Sequence, residues 1–343
     1  LIKPNEDNFN TSLNFVFIIT YFKTSGFELL RFFIIINILY LLPTFTGQNS
    51  AQAFFYFEEA EPKVESEKPT KKTDEKISEK KHTEGIQRSD IKIAKPISLF
   101  AQQKQDLSHY LLTDKIQKID VGDNKYILVE QSSSTQNNKG VAILLPDWQQ
   151  GITNPKALNF LRTHLPKKGW STLSIQSPSK PLNYPYFAIN EKERLEQNKK
   201  ALLQYNNELK SLMSVVMEKA KNYPGIFLVI SKGNQAAMLI DLYKNNPDLS
   251  PAALIMLSAG LQSPEENTIF AINMAKIEIP VLDLVLVKDN KLVLQNALLR
   301  KKQAIKEMKV VYRQKSVMDV MPGYYPEQTL LREINGWLKT IGW

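Results

Sequence analysis

An α/β fold is predicted, with a mostly parallel central sheet, helices on both of its faces and an antiparallel hairpin at its N-terminal edge. Three features of the sequence point to it. Short apolar runs without alternation recur through the C-terminal part of the chain, as strands covered on both faces require. Helix-length stretches with apolar residues three and four apart separate those runs. Ahead of the first run, two strand-like segments are joined by Gly122, Asp123 and Asn124, residues that tolerate the positive φ of a tight hairpin turn.

Taken in order, KIQKIDV and KYILVEQS form the expected hairpin, and GVAILLP is the first strand of the parallel set. WSTLSIQSP, GIFLVIS, AALIMLSAG, PVLDLVLVKD and KVVYRQK are the further strands. Between the first two of the parallel set, Leu158, Leu161 and Leu165 line one helix face, and Lys167, Lys168 and Gly169 close that helix. Residues 190–221 read as a long charged helix with Leu195, Leu202, Tyr205, Leu209, Leu212 and Val216 as its core stripe. A last helix beginning at Pro326 puts Leu330, Ile334, Trp337 and Ile341 on one side. Strands alternating with helices in this way build a doubly wound sheet.

These signals occupy residues 96–343. Residues 1–53 read as a leader: Arg31 precedes an apolar stretch from Phe32 to Leu42, and Ala51-Gln52-Ala53 supplies a small-x-small site, so cleavage is predicted after Ala53. Export to the periplasm or beyond is the expectation. A second apolar run, Leu13 to Phe22, leaves membrane anchoring by an uncleaved segment as the alternative. Residues 54–95 are dense in Glu, Lys, Ser, Thr and Pro, cannot bury enough apolar surface to offset their ordering entropy, and are expected to be a disordered tether.

Charge is unevenly spread. Residues 1–53 hold three basic and three acidic side chains and residues 54–95 ten of each, so the whole net charge of +9 lies on residues 96–343. A basic globule of this kind is drawn to anionic surfaces, and weak contact with an anionic membrane is one expected interaction. No basic helix interleaved with aromatics points to nucleic acid. The chain has no cysteine, which excludes disulfides and thiol chemistry, and its three histidines, His82, His109 and His164, are too scattered for a metal site. No Walker or dinucleotide glycine pattern is present, and no cofactor is expected.

The strongest chemical signal is IFLVISKGNQAAMLIDLY at 226–243, a buried strand turning tightly into a helix. Together with GVAILLPDWQQ, GWSTLSIQSP, IPVLDLVLVKDN, VYRQ and INGWLKTIGW, it resembles the bacterial α/β-hydrolase-like family catalogued as domain of unknown function 3530. The resemblance covers roughly residues 96–343 and implies the α/β-hydrolase fold. In that fold the turn carries G-x-S-x-G, with the nucleophile on a strained elbow. Here the positions are Ser231, Lys232, Gly233, Asn234 and Gln235, so glycine stands where the nucleophile is expected.

The template also implies an acid after the next-to-last strand, where Asp289 stands, and a histidine after the last one. No histidine follows His164; KSVMDVMPGYYPEQ offers only Asp319 and Tyr324. Asp289 reads equally as a turn or helix-cap residue. Asp283, inside an apolar strand, needs a buried partner, for which Arg300 and Arg313 are candidates. The loop DWQQGITNP occupies the oxyanion-hole position. Its Asp147, Trp148 and the backbone N–H groups near Gln149 and Gly151, with Lys232, Gly233 and Asn234, form a candidate site for an anionic group; Trp148 reads equally as a packing residue. The expected function is that of an exported cell-envelope protein without a Ser-His-Asp triad, binding a small molecule or envelope component or serving as a scaffold. The alternative is a carboxylic-ester hydrolase with a displaced nucleophile such as Ser231.

Overall fold

The computed structural model describes residues 95–111, 116–153 and 156–343. The predicted leader, the cleavage expected after Ala53 and the expected tether up to residue 94 lie outside the described residues. Among the described residues no helix is long and apolar enough to cross a membrane.

The hairpin forms as β1 (Ile116–Val121) and β2 (Asn124–Gln131), with Gly122 at φ +56° in its turn. The remaining strands are β3 (Gly140–Leu145), β4 (Trp170–Ile175), β5 (Ile226–Lys232), β6 (Ala253–Leu257), β7 (Val281–Leu286) and β8 (Tyr312–Val317). They lie in one sheet in the order β1-β2-β4-β3-β5-β6-β7-β8, antiparallel from β1 through β4 and parallel from there on. Every residue of β3, β4, β6 and β7 is buried, as expected of strands covered on both faces.

Seven helices of eight residues or more pack on the sheet among the described residues: α1 (Leu99–Tyr110), α2 (Lys156–His164), α3 (Glu191–Ala220), α4 (Gly233–Asn245), α5 (Pro264–Lys276), α6 (Lys291–Lys306) and α7 (Glu327–Thr340). One face of the sheet meets Tyr205, Leu209 and Leu212 of α3, Met238 of α4 and Phe270 of α5. The other meets Leu158 and Leu161 of α2 and Leu330, Ile334 and Trp337 of α7. Each large side chain so buried contributes about 1.5–3 kcal/mol. Local capping sets the helix starts: Asn190 accepts from the N–H groups of Lys192 and Glu193, and Ser263 with Glu266 forms a reciprocal capping box. Helix α1 has no counterpart in the periodicity reading. Ser98 caps it and Leu107 anchors it against Ile127, Val129 and Ile152.

Lys309, just beyond α6, donates its ammonium to the carbonyls of Ile277 and Ile279 past the end of α5. Burial depresses its pKa to about 8, against about 10.4 in an unfolded chain. Between those values the native state sheds a proton that the unfolded state keeps, so this group adds stability as pH rises through that window and costs it below. The urea midpoint of the wild-type protein is therefore expected to gain on that of Lys309→Met from pH 8 to 10. Parallel profiles for the two proteins would contradict this assignment.

Candidate functional site

The parallel register brings the candidate residues together. Leu145 at the end of β3 pairs with Ser231 in β5, so the chain after β3 runs beside the turn into α4. That turn has no intervening loop: Lys232 is extended, and Gly233 opens the helix at φ +60°. The left-handed backbone of a nucleophile elbow is thus present, held by the residue type that adopts it without steric cost.

Asp147 fills the space above it. A Cβ built on Gly233 falls 2.2 Å from Oδ2 of Asp147 and 2.6 Å from its Cγ. Oδ1 of Asp147 accepts from the backbone N–H of Trp148 at 2.9 Å and of Asn234 at 3.1 Å, and the Asn234 amide nitrogen lies 3.2 Å from both carboxylate oxygens. In a serine hydrolase of this fold, the N–H of the residue after the nucleophile and an N–H of the loop after the corresponding strand form the oxyanion hole. Here the same two donors hold the chain's own carboxylate. The anion expected at this helix start is Asp147 itself. Burial raises the pKa of its carboxyl, opposed by the hydrogen bonds from Trp148, Asn234 and Gln235.

The flanking candidates have distinct placements. Ser231 is fully buried in β5, its hydroxyl donating to the carbonyl of Leu145 at 3.1 Å. Lys232 is half-buried; desolvation lowers its pKa, while the charges of Asp147 and Asp289 act the other way. Trp148 is a packing residue, buried with its indole 5.3 Å from the Tyr184 ring and 5.1 Å from that of Tyr205.

Asp289 follows β7 as the template implies, but among the described residues no imidazole hydrogen-bonds to it. Its Oδ2 instead accepts a short hydrogen bond from the hydroxyl of Ser258, and its Oδ1 accepts from the N–H of Asn290, the residue that caps α6. Ser258 follows β6 at φ +50°, an uncommon conformation for a residue with a Cβ, and its Oγ lies 2.7 Å from the hydroxyl oxygen of Tyr325. Tyr325 reaches in from the loop after β8 and also donates to the carbonyl of Leu284 at 2.8 Å. Acid and histidine positions are therefore closed into a serine, aspartate and tyrosine cluster. Neither Ser258 nor Tyr325 stood out in the sequence, because a positive φ at serine and the approach of two loops leave no local pattern. Asp319, by contrast, is buried and accepts from the N–H of Lys288 at 2.9 Å, while Tyr324 is half exposed.

His164 lies at the end of α2, its ring stacked on Phe160 at 3.9 Å and its Nδ1 3.0 Å from the Phe160 carbonyl. Among the described residues no group of His, Asp and Glu side chains is placed to hold a metal ion.

The buried partner of Asp283 is Arg300, on α6. Its guanidinium makes a two-pronged contact with the carboxylate at 2.8 and 3.0 Å and donates to the carbonyl of Ala259 at 2.8 Å. Tyr312 and Gln314 each donate to Oδ2 of Asp283 at 2.8 Å. Burial disfavours the charge on Arg300, yet the adjacent Asp283 and Tyr312 hold its pKa above the ordinary value. The other candidate, Arg313, is exposed, since it pairs with Leu282 and so points away from Asp283.

Strand order, elbow and acid position are those of the α/β-hydrolase fold. Among solved structures, the chain is similar to Est1E from Butyrivibrio proteoclasticus, at 12% identity and a TM-score of 0.46 over 66% of this chain and 99% of that one. It is also similar to a dienelactone hydrolase from Anabaena variabilis, at 11% identity and 0.45 over 66% and 98%. A third similarity is to an alpha-beta serine hydrolase homologue from Coxiella burnetii, at 12% identity and 0.43 over 68% and 100%. No curated protein matches the sequence. The family described as protein of unknown function (DUF3530) matches residues 53–211 and 188–340, most of the chain, and the chain belongs to that family.

Proposed function

We propose that this is an exported cell-envelope protein that keeps the α/β-hydrolase architecture without Ser-His-Asp catalysis and acts by binding or as a scaffold. The observation that carries the reading is the Asp147 carboxylate on the N–H groups of Trp148 and Asn234, directly over Gly233. A substrate carbonyl polarised by those donors has to displace an anion that already satisfies them through charge-assisted hydrogen bonds. Beneath it there is no hydroxyl to attack, and no histidine follows residue 164 to take a proton. Export rests on Arg31, the apolar stretch behind it and the Ala51-Gln52-Ala53 site.

The test is treatment of the purified protein with a fluorophosphonate probe beside a screen of short-chain esters. No serine is expected to be labelled and no ester turned over; a single labelled serine whose replacement by alanine abolishes labelling would refute the reading. Cell fractionation with N-terminal sequencing checks export, with an N-terminus at Phe54 expected and an intact leader on a cytoplasmic protein counting against it.

A second reading, an ester hydrolase with a displaced nucleophile, is favoured by one observation: the strained Ser258 in contact with Asp289 and Tyr325. It requires that labelling occur and disappear in Ser258→Ala. Labelling lost in Ser231→Ala would instead place the nucleophile inside β5.

A further inference from the structure

At the opposite end of the sheet from Gly233, a cavity of about 530 Å³ opens between α7 and the chain entering β3 and β4. Lys139, Lys168, Arg332 and Lys339 line it, and no Asp or Glu does. Among the described residues, none of these four cations has a carboxylate within 4.0 Å, although Lys315, on β8, pairs with Glu333 of α7 at 2.6 Å.

The arrangement follows from local structure. Gln328, Arg332, Asn335 and Lys339 recur at intervals of four, three and four, which puts them on one face of α7. Facing them, Lys139 is fixed at its backbone: its N–H donates to the carbonyl of Gly169 at 2.8 Å and its carbonyl accepts from Ile226 at 3.2 Å. Lys168 is held in a 3-10 turn, its N–H donating to the Leu165 carbonyl at 2.8 Å. Gly169, at φ +94°, permits the close approach of this loop, since a Cβ there would lie 2.8 Å from the Asn137 carbonyl oxygen and 3.2 Å from Lys139 Cγ. Gly336 also lines the cavity from within α7, and a Cβ on it would meet nothing within 4 Å. Leu331, Leu338 and Trp343 supply an apolar wall.

We infer that this cavity binds a phosphate-bearing anion. Two exposed lysines on anchored loops line one side of the cavity, and an arginine, a lysine and two carboxamides on a helix line the other, so donors are available from two sides. That suits a tetrahedral, multiply charged group better than a single carboxylate, and the wall of Leu331, Leu338 and Trp343 accommodates an organic substituent on it. The cavity lies at the N-terminal ends of the parallel strands, so it stands whether or not the elbow at the other end retains any chemistry.

The phosphate group belongs either to a membrane lipid headgroup or to a free compound, and the experiment separates the two. The full-length protein is titrated with inorganic pyrophosphate by calorimetry, and sedimented with vesicles of phosphatidylglycerol and phosphatidylcholine or of phosphatidylcholine alone. Binding of pyrophosphate identifies a free phosphate compound as the ligand class. Binding to the anionic vesicles over the neutral ones, without pyrophosphate binding, identifies a lipid headgroup. In either case a Lys139→Gln, Arg332→Gln, Lys339→Gln triple variant is expected to bind at least about tenfold more weakly. Gly336→Glu, which sets a carboxylate in the cavity and leaves all four cations in place, is expected to weaken binding likewise, with thermal melting checking that both variants fold. Wild-type-like binding by the triple variant, or binding of neither probe by the wild-type protein, would overturn the inference.

Discussion

Replacing Asp283 by alanine is expected to destabilise the fold by about 3–5 kcal/mol, because it leaves the Arg300 guanidinium charged, buried and without its counterion. Both side chains are fully buried, and water cannot take over the missing carboxylate. For a domain of this size the loss corresponds to a melting temperature lower by roughly 10 °C. The environment amplifies the effect: Tyr312 and Gln314 also direct donors at the same carboxylate, so its removal strands more than one hydrogen-bonding group. A combined Asp283→Leu and Arg300→Met variant is expected to cost less than Asp283→Ala alone, since it removes both charges. Denaturant unfolding of the two variants checks this; a single-variant loss below about 1 kcal/mol would mean the pair is not the buried unit described.

Gly233→Ser, the change that writes a hydrolase elbow back into the sequence, is expected to destabilise the protein by about 2–5 kcal/mol and to confer no esterase activity. A residue with a Cβ in the left-handed region costs about 1–2 kcal/mol. Overpacking against the Asp147 carboxylate, 2.2 Å from the new Cβ, adds about 1–3 kcal/mol. Asp147→Gly alone is expected to cost about 1–2 kcal/mol, as the first N–H groups of α4 lose their capping acceptor. The double variant is expected to be more stable than the sum of the singles implies by at least about 1 kcal/mol, because the clash exists only when both native and introduced groups are present. Strict additivity, or a Gly233→Ser protein as stable as the wild type, would show that Asp147 does not occupy the nucleophile's place.

The elements most legible in the sequence were those whose environment is uniform. β3 and β6 are apolar along their whole length, and β5 and β7 along most of theirs, because both sheet faces are covered, and α7 shows its buried stripe because one side meets the sheet and the other water. Helix α1 was not legible. Its sequence, LFAQQKQDLSHY, is largely polar, and the buried Leu107 ties it to β2, so packing on the hairpin outweighs a weak local signal. Asp283 was legible as a buried acid in need of a partner, but the choice between Arg300 and Arg313 turned on side-chain alternation in β8, which depends on the register against β7.

By itself the sequence determined the order of the strands and of the helices between them, the glycine at the elbow and the lack of any histidine beyond residue 164, all of which are properties of residue type and position along the chain. Only the tertiary structure decided what occupies the site. That Asp147 rests on the donors of an oxyanion hole follows from the pairing of β3 with β5, which sets the residue after one strand beside the turn after the other. The closure of Asp289 by Ser258 and Tyr325 depends likewise on three loops meeting at one end of the sheet. Contacts between residues tens of positions apart are fixed by strand pairing and packing, and neither is written in the local pattern of either partner.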